Sequence, residues 1–435
     1  MRAMKSAALL LLSASLCHAA PMATPIKGDV LLRGATVHVG NGTVIENASV
    51  AIVDGRIAAV GQSVATPPGA RVIECAGKHV TPGLFAVDTV LGLTEISAVR
   101  STQDSAEVGN VTPNVAGWSA FNPDSELLGV AMANGVLHAG VAPRAGLVPG
   151  LASAMRLSGW TREDMVLQNP AALCVNWPSM TLDRKPDAKP PLEEQQRALA
   201  SQLDELDDVI ARGRAFAGGV KAPAASRGGA AISRDLGLEA LGPVLSGEAP
   251  VIVYADGVTE MRAAMAWARA NGLKLIIAGG RDAWRIAPEI AAAGVPVIIG
   301  AVRAMPDRDY EPYDARWERP VLLHRAGVKI AFNVGADAFG AAMARNLPDE
   351  AAMTIPWGMP PEEALRAITL TPAEMLGCAK RVGSVEAGKD GDLVVWDGPP
   401  LEITSHAQHL FMRGEEIPIN DRHTKLYNTY RNRPR

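Results

Sequence analysis

Val251-Ile252-Val253-Tyr254, a helix-patterned stretch over 259–271, Lys274-Leu275-Ile276-Ile277, a second such stretch over 282–293, and Val295-Pro296-Val297-Ile298-Ile299 follow one another without a break. Apolar runs of strand length alternate here with segments of helix length, which is the rhythm of parallel βαβ units. Eight such units close a barrel of about 250 residues. Val328-Lys329-Ile330-Ala331-Phe332 continues the pattern, followed by a turn over 333–339 and a helix over 361–369. Residues 81–384 have room for the whole barrel.

Outward from this core the pattern changes. Between residues 28 and 80 short β-rich runs alternate with turns, and Asp54-Gly55 between two apolar runs is a hairpin signal because both central turn positions need positive φ. At the other end, Gly391-Asp392-Leu393-Val394-Val395-Trp396 and His409-Leu410-Phe411-Met412 are again strand-like. The expected fold is therefore α/β: a TIM-type (β/α)8 barrel over 81–384, plus a small β-sandwich domain built from both chain ends, 25–80 and 385–435. One segment, 178–233, interrupts the barrel rhythm. Within it Leu199, Leu203, Leu206 and Ile210 recur at helical spacing and predict an amphipathic helix packed on the barrel, with a lid or a dimer contact as the other readings.

Composition bounds the function. Hydrophobic residues make up 48% and charged residues 20% of 435, which excludes a disordered or fibrous chain. The formal charge of −4 carries no block of like sign, which argues against nucleic acid as a partner. Residues 1–19 read as a signal peptide, with Arg2 and Lys5 ahead of the apolar run Ala7 to Leu12 and small residues at Ala19-Ala20. Export to a periplasm or the exterior is expected, and no later run is long and apolar enough to predict a membrane span. Cys75, Cys174 and Cys378 match no zinc spacing and read as small buried hydrophobes, with one optional disulfide.

Val80-Thr81-Pro82-Gly83-Leu84 at the barrel start resembles the amidohydrolase superfamily, especially its imidazolonepropionase-like members. So does the far end: Ala367-Ile368-Thr369-Leu370-Thr371-Pro372-Ala373-Glu374-Met375-Leu376-Gly377 and then Arg381-Val382-Gly383-Ser384 through Gly391-Asp392-Leu393-Val394-Val395-Trp396. The resemblance implies hydrolysis of C–N bonds by one or two divalent metals held at the C-terminal ends of the barrel strands. Such a metal needs imidazole and carboxylate ligands to generate a nucleophilic water near neutral pH.

The ligand positions depart from that pattern. The His-x-His pair that the resemblance places after Pro-Gly-Leu is replaced by Asp88 and Val90. A mid-barrel histidine corresponds to Tyr254, and Ile276-Ile277-Ala278-Gly279-Gly280 offers none. The last-strand aspartate aligns with Gly335, and Asp337 lies two residues on. Of the eight histidines only His138 and His324 fall inside the barrel, and both read as structural.

No metal ligand is therefore assigned and no cofactor is expected. Asp88 and Asp337 are the candidate catalytic carboxylates, and Glu95, Tyr254, Asp256, Arg303 and Asn333 are candidate ligand contacts near strand ends. The leading expectation is a pseudoenzyme that binds a small-molecule or peptide-like ligand, forms a homo-oligomer, or assembles with an active relative. The alternative is a hydrolase of amide or cyclic amide C–N bonds working through an unconventional or single-zinc site.

Overall fold

A computed structural model describes residues 25–221 and 233–433. The segment read as a signal peptide and residues 222–232 of the insertion lie outside the described residues. The chain begins in an end domain with β1 (Val30–His38), β2 (Val44–Val53), β3 (Arg56–Gly61), β4 (Arg71–Glu74) and β5 (His79–Pro82). It continues through a barrel of β6 (Leu84–Thr89), β7 (Val136–Val141), β8 (Gly150–Arg156), β9 (Val166–Asn176), β10 (Val251–Ala255), β11 (Leu275–Gly279), β12 (Val297–Ile299) and β13 (Ile330–Phe332). It returns to the end domain with β14 (Leu393–Trp396), β15 (Ala407–Met412) and β16 (Glu415–Ile417).

Strands from both ends of the chain hydrogen-bond into one mixed sheet, in the order β16-β15-β14-β5-β1-β2-β3, with β4 beside β1. The two ends meet where β14 runs antiparallel to β5, Val395 opposite Val80. The β2–β3 turn is the one its sequence demands. Asp54 and Gly55 take φ of 47° and 77°, and a Cβ on Gly55 would stand 2.7 Å from the Arg413 carbonyl oxygen, so the glycine is required by both conformation and space.

The barrel sheet runs β6 to β13 in chain order. Neighbouring strands are parallel except at β8, which is antiparallel to both β7 and β9. This departs from the eight parallel strands expected of the architecture. The reason is local, since a parallel crossover takes a dozen or more residues and the links 142–149 and 157–165 are shorter than that. The seam between β13 and β6 is bridged by the segment at Ala367 and Ile368, whose carbonyls accept from the backbone N–H of Phe332 at 3.2 Å and of Phe85 at 2.8 Å.

Side chains alternate along the strands as period-two geometry requires. Phe85, Val87, Ile252, Ile276, Ala278, Ile298 and Ala331 fill the barrel interior, while Leu84, Val251, Val253, Ile277, Val297 and Ile330 pack outward against the helices. The insertion contributes the helix Leu192–Lys221. Leu206, Val209 and Ile210 are buried on it and Leu203 packs against them, so its apolar stripe faces the barrel. The helix expected over 282–293 is a 3₁₀ turn Ala283–Ile286 followed by the helix Ala287–Ala293, and the one expected over 361–369 ends at Arg366.

Candidate functional site

The C-terminal ends of the barrel strands bring three of the anticipated residues together. Asp88, near the end of β6, is only 2% exposed. Its Oδ1 accepts from the Tyr254 hydroxyl at 2.9 Å and from Arg144 Nη2 at 2.7 Å. Asn333, just past β13, directs its Nδ2 at Asp88 Oδ2 from 3.5 Å. Arg144 stands on the loop after β7, and its guanidinium carbon lies 5.1 Å from the Tyr254 ring centroid, a cation–π contact.

The loop that carries Arg144 is tied down. Asn176 at the end of β9 donates through Nδ2 to the carbonyls of Arg144 at 2.8 Å and Gly146 at 2.6 Å, and the Arg144 N–H donates to Ser105. Burial works against the guanidinium's charge, but the adjacent Asp88 carboxylate outweighs it and raises the Arg144 pKa. Burial holds the Tyr254 phenol well above its usual range, so it remains a neutral donor. Burial also pushes the Cys174 thiol, 3.9 Å from the Tyr254 hydroxyl, up to about 12. The cluster is thus one fixed cation and one fixed anion with neutral neighbours.

This donor set does not fit a divalent metal. Asp88 Oδ1 is already shared by two donors, Tyr254 presents a proton rather than a phenolate, and the Arg144 charge repels a second cation. Val90 is buried and apolar, and β11 ends in Ala278-Gly279. Among the described residues no group of three or more His, Cys, Asp or Glu is arranged to hold a metal ion.

The remaining anticipated residues have separate local roles. Asp337 is the N-cap of the helix Ala338–Ala342 and accepts from the Gly340 N–H at 2.7 Å. Arg303 pairs with Asp349 at 2.8 Å, and its backbone N–H reaches the buried Glu350. Asp256 accepts from the Arg281 N–H at 3.3 Å, and Glu95 accepts from Asn122 at 3.4 Å. Sequence reasoning missed Arg144. The available signal was an arginine directly after an apolar strand-like run, in Val141-Ala142-Pro143-Arg144, at the same barrel level as Asp88.

His138 serves the opposite end of the barrel. Its Nε2 lies 2.8 Å from Asp392 Oδ2, which also accepts from Arg156 Nε at 3.1 Å, while Asp392 Oδ1 accepts from the Arg413 N–H at 2.6 Å. Arg156 bonds Asp390 as well, and Arg381 joins Asp390 at 2.9 Å. The carboxylates just ahead of β14 thereby neutralise a buried arginine on β8 and fasten the closing segment to the barrel floor. His324 lies in the helix Ala315–Arg325.

The amidohydrolase family model matches residues 318–420. The amidohydrolase tasK of Hapsidospora irregularis is 38% identical over 65 residues, a stretch that makes up 15% of this chain and only 7% of that protein. The imidazolonepropionase of Mesorhizobium japonicum is 23% identical over 386 residues, 81% of this chain and 87% of that one. Among solved structures, an amidohydrolase from Thermotoga maritima superposes with a TM-score of 0.77 at 24% identity, covering 89% of this chain and 99% of that one. The chain shares the amidohydrolase type of barrel with its accompanying end domain.

Proposed function

We propose that this chain is a member of the amidohydrolase superfamily with imidazolonepropionase-like kin, exported by its segment 1–19, that does not carry out metal-dependent hydrolysis. It works by binding, either as a ligand-binding protein or as the partner subunit of an active relative. One observation carries the reading: Asp88 Oδ1 accepts from both Arg144 and Tyr254. A carboxylate committed in this way supplies neither a metal ligand nor a free general base. The similarity to the Mesorhizobium and Thermotoga proteins supports the superfamily part of the proposal.

The competing hydrolase reading rests on Asp88 or Asp337 as base or single-zinc ligand. Both carboxylates are occupied, the first by Arg144 and Tyr254 and the second by helix capping. The test is elemental mass spectrometry on protein exposed to zinc and manganese and then dialysed. Metal well below one equivalent is expected; a near-stoichiometric content overturns the proposal.

A further inference from the structure

The helix Arg422–Arg431, which follows β16, is amphipathic with its faces reversed. At about 100° per residue, Leu426, Tyr430 and Tyr427 fall within about 100° of arc, the width of the stripe that a surface helix ordinarily turns to the core. Here the stripe faces solvent. Leu426 is 43%, Tyr427 62% and Tyr430 65% exposed, and the helix buries none of its own residues. The polar side meets the barrel instead. Asp421, the N-cap, is buried and accepts from the backbone N–H of His423 at 2.8 Å and of Thr424 at 3.2 Å. Thr424 is half-buried, and a Cβ on Gly129 of the helix Glu126–Met132 would stand 3.7 Å from Asp421 Cβ.

Cations border the exposed stripe on both sides. The same periodicity puts Arg422 about 40° before Leu426 and Arg431 about 40° beyond Tyr427. The Arg431 guanidinium carbon lies 5.8 Å from the Tyr427 ring centroid. His423 falls within the arc, and Arg345 Nη1 stands 2.7 Å from its Nδ1, which brings a cation of the barrel to that side. Lys425 and Arg433 add two more, and none of Arg422, Lys425, Arg431 and Arg433 has an ion-pair partner among the described residues. Residues 422–433 contain no acid, Asp421 is spent as the cap, and the adjoining helix contributes Glu126.

Size and charge together select the occupant. A helix of 10 residues is about 15 Å long, so one face of it falls well short of the about 800 Å² per partner that a specific protein interface buries. Its cations are the complement of an anionic surface, and tyrosine is favoured at the headgroup level of a bilayer, where the ring meets hydrocarbon and the hydroxyl meets water. Among the described residues no helix is long and apolar enough to cross a membrane, so the contact is one of lying on the surface. The whole chain carries a formal charge of −4 and is repelled by an anionic surface, which confines the attraction to this helix.

We infer that the helix Arg422–Arg431 docks this protein on an anionic lipid bilayer. It lies parallel to the surface, with Leu426, Tyr427 and Tyr430 in the headgroup layer and Arg422, Lys425 and Arg431 on lipid phosphates. The docking goes beyond the function proposed above and does not depend on the state of Asp88. Metal content tests that proposal and vesicle binding tests this one, so each can fail without the other.

The experiment sediments the full chain with vesicles of phosphatidylglycerol and phosphatidylcholine in equal parts, and with vesicles of phosphatidylcholine alone. Saturable binding to the anionic vesicles is expected, about tenfold weaker on the neutral ones and weakened by added salt. Tyr427→Ser with Tyr430→Ser, and Arg422→Gln with Lys425→Gln, should each reduce it about fivefold. All four side chains are exposed, so an unchanged thermal midpoint separates lost docking from lost folding. Equal binding to both vesicles, no binding by folded protein, or undiminished binding in both double variants overturns the inference. A dimer in solution that the tyrosine variant dissolves, without vesicle binding, gives the face to a second copy and also overturns it.

Discussion

Arg144 Nη2 lies 2.7 Å from Asp88 Oδ1, an ion pair whose carboxylate is 2% exposed and whose guanidinium is 18% exposed. The positive charge at the barrel mouth is part of the chain itself. Arg144→Leu would leave a buried carboxylate with only Tyr254 and Asn333 as donors. A loss of about 3–5 kcal/mol is expected, read from the urea midpoint. Adding Asp88→Asn should restore most of it, because removing both charges is far less costly than removing one. A single-variant loss below about 1 kcal/mol would show that the pair is solvated and energetically idle.

The floor network has a pH signature. Burial alone would raise the Asp392 carboxyl, but the His138 hydrogen bond and the Arg156 charge prevail and hold it well below the usual carboxylate range. A depressed folded-state pKa contributes stability in full above the unfolded value, about 4, and loses it as the pH falls toward the folded value. The thermal midpoint should therefore drop steeply below about pH 4. Asp392→Asn should lower the midpoint at neutral pH and flatten that acid limb. An acid limb identical to wild type would locate the titration elsewhere.

A second joint between barrel and end domain responds at higher pH. His38 Nδ1 lies 2.8 Å from Glu362 Oε1 and His38 Nε2 lies 2.9 Å from His79 Nδ1. Burial, and then the charge of His38, lower the His79 pKa. The neutral ring is the one that favours the fold, so this contribution is present above about pH 6.5 and fades as the pH falls below it. Replacing His79 with Gln should flatten the decline of the thermal midpoint between pH 7 and pH 5; an unchanged slope would refute the assignment.

The cysteines give a simple check on burial. Cys75, Cys174 and Cys378 are free and buried, and burial pushes the last two up to about 12. At pH 8 none of the three should react quickly with a thiol reagent, and all three should react in urea. One fast equivalent from any of them in the folded protein would contradict the described packing.

Much of this architecture could be read in the sequence because the strands between 251 and 332 are continuous apolar runs separated by helix-length segments. The hairpin at Asp54-Gly55 was equally legible, being dictated by two consecutive positive φ angles. The reversal of β8 was not, since hydrophobic period is the same in parallel and antiparallel strands and only the short links betray direction. At the site, Asp88, Tyr254 and Asn333 could be nominated from strand-end position. Arg144 could not be paired with Asp88, because the contact joins β6 to the loop after β7 and has no local spacing. Asp337 shows the converse: a carboxylate before a short helix has the same sequence appearance whether it caps or catalyses.

Packing within the barrel yields a last prediction. A Cβ on Gly140 would stand 2.0 Å from the Val87 carbonyl oxygen, a backbone atom that cannot rotate away. Gly140→Ala should therefore cost about 3 kcal/mol or more, measured by chemical unfolding. A near-neutral effect would mean that β6 and β7 separate easily at this level.

The meeting of the first and last strands in one sheet bears on how the chain is made. Until residues near 390 have been synthesised, β5 has an unsatisfied edge, Arg156 has no counter-charge and His138 lacks its hydrogen-bond partner. A prematurely ended chain is thus marked by an open strand edge and a stranded buried cation. The closing segment thus acts as a seal, covering that edge and neutralising that cation in one stretch of chain.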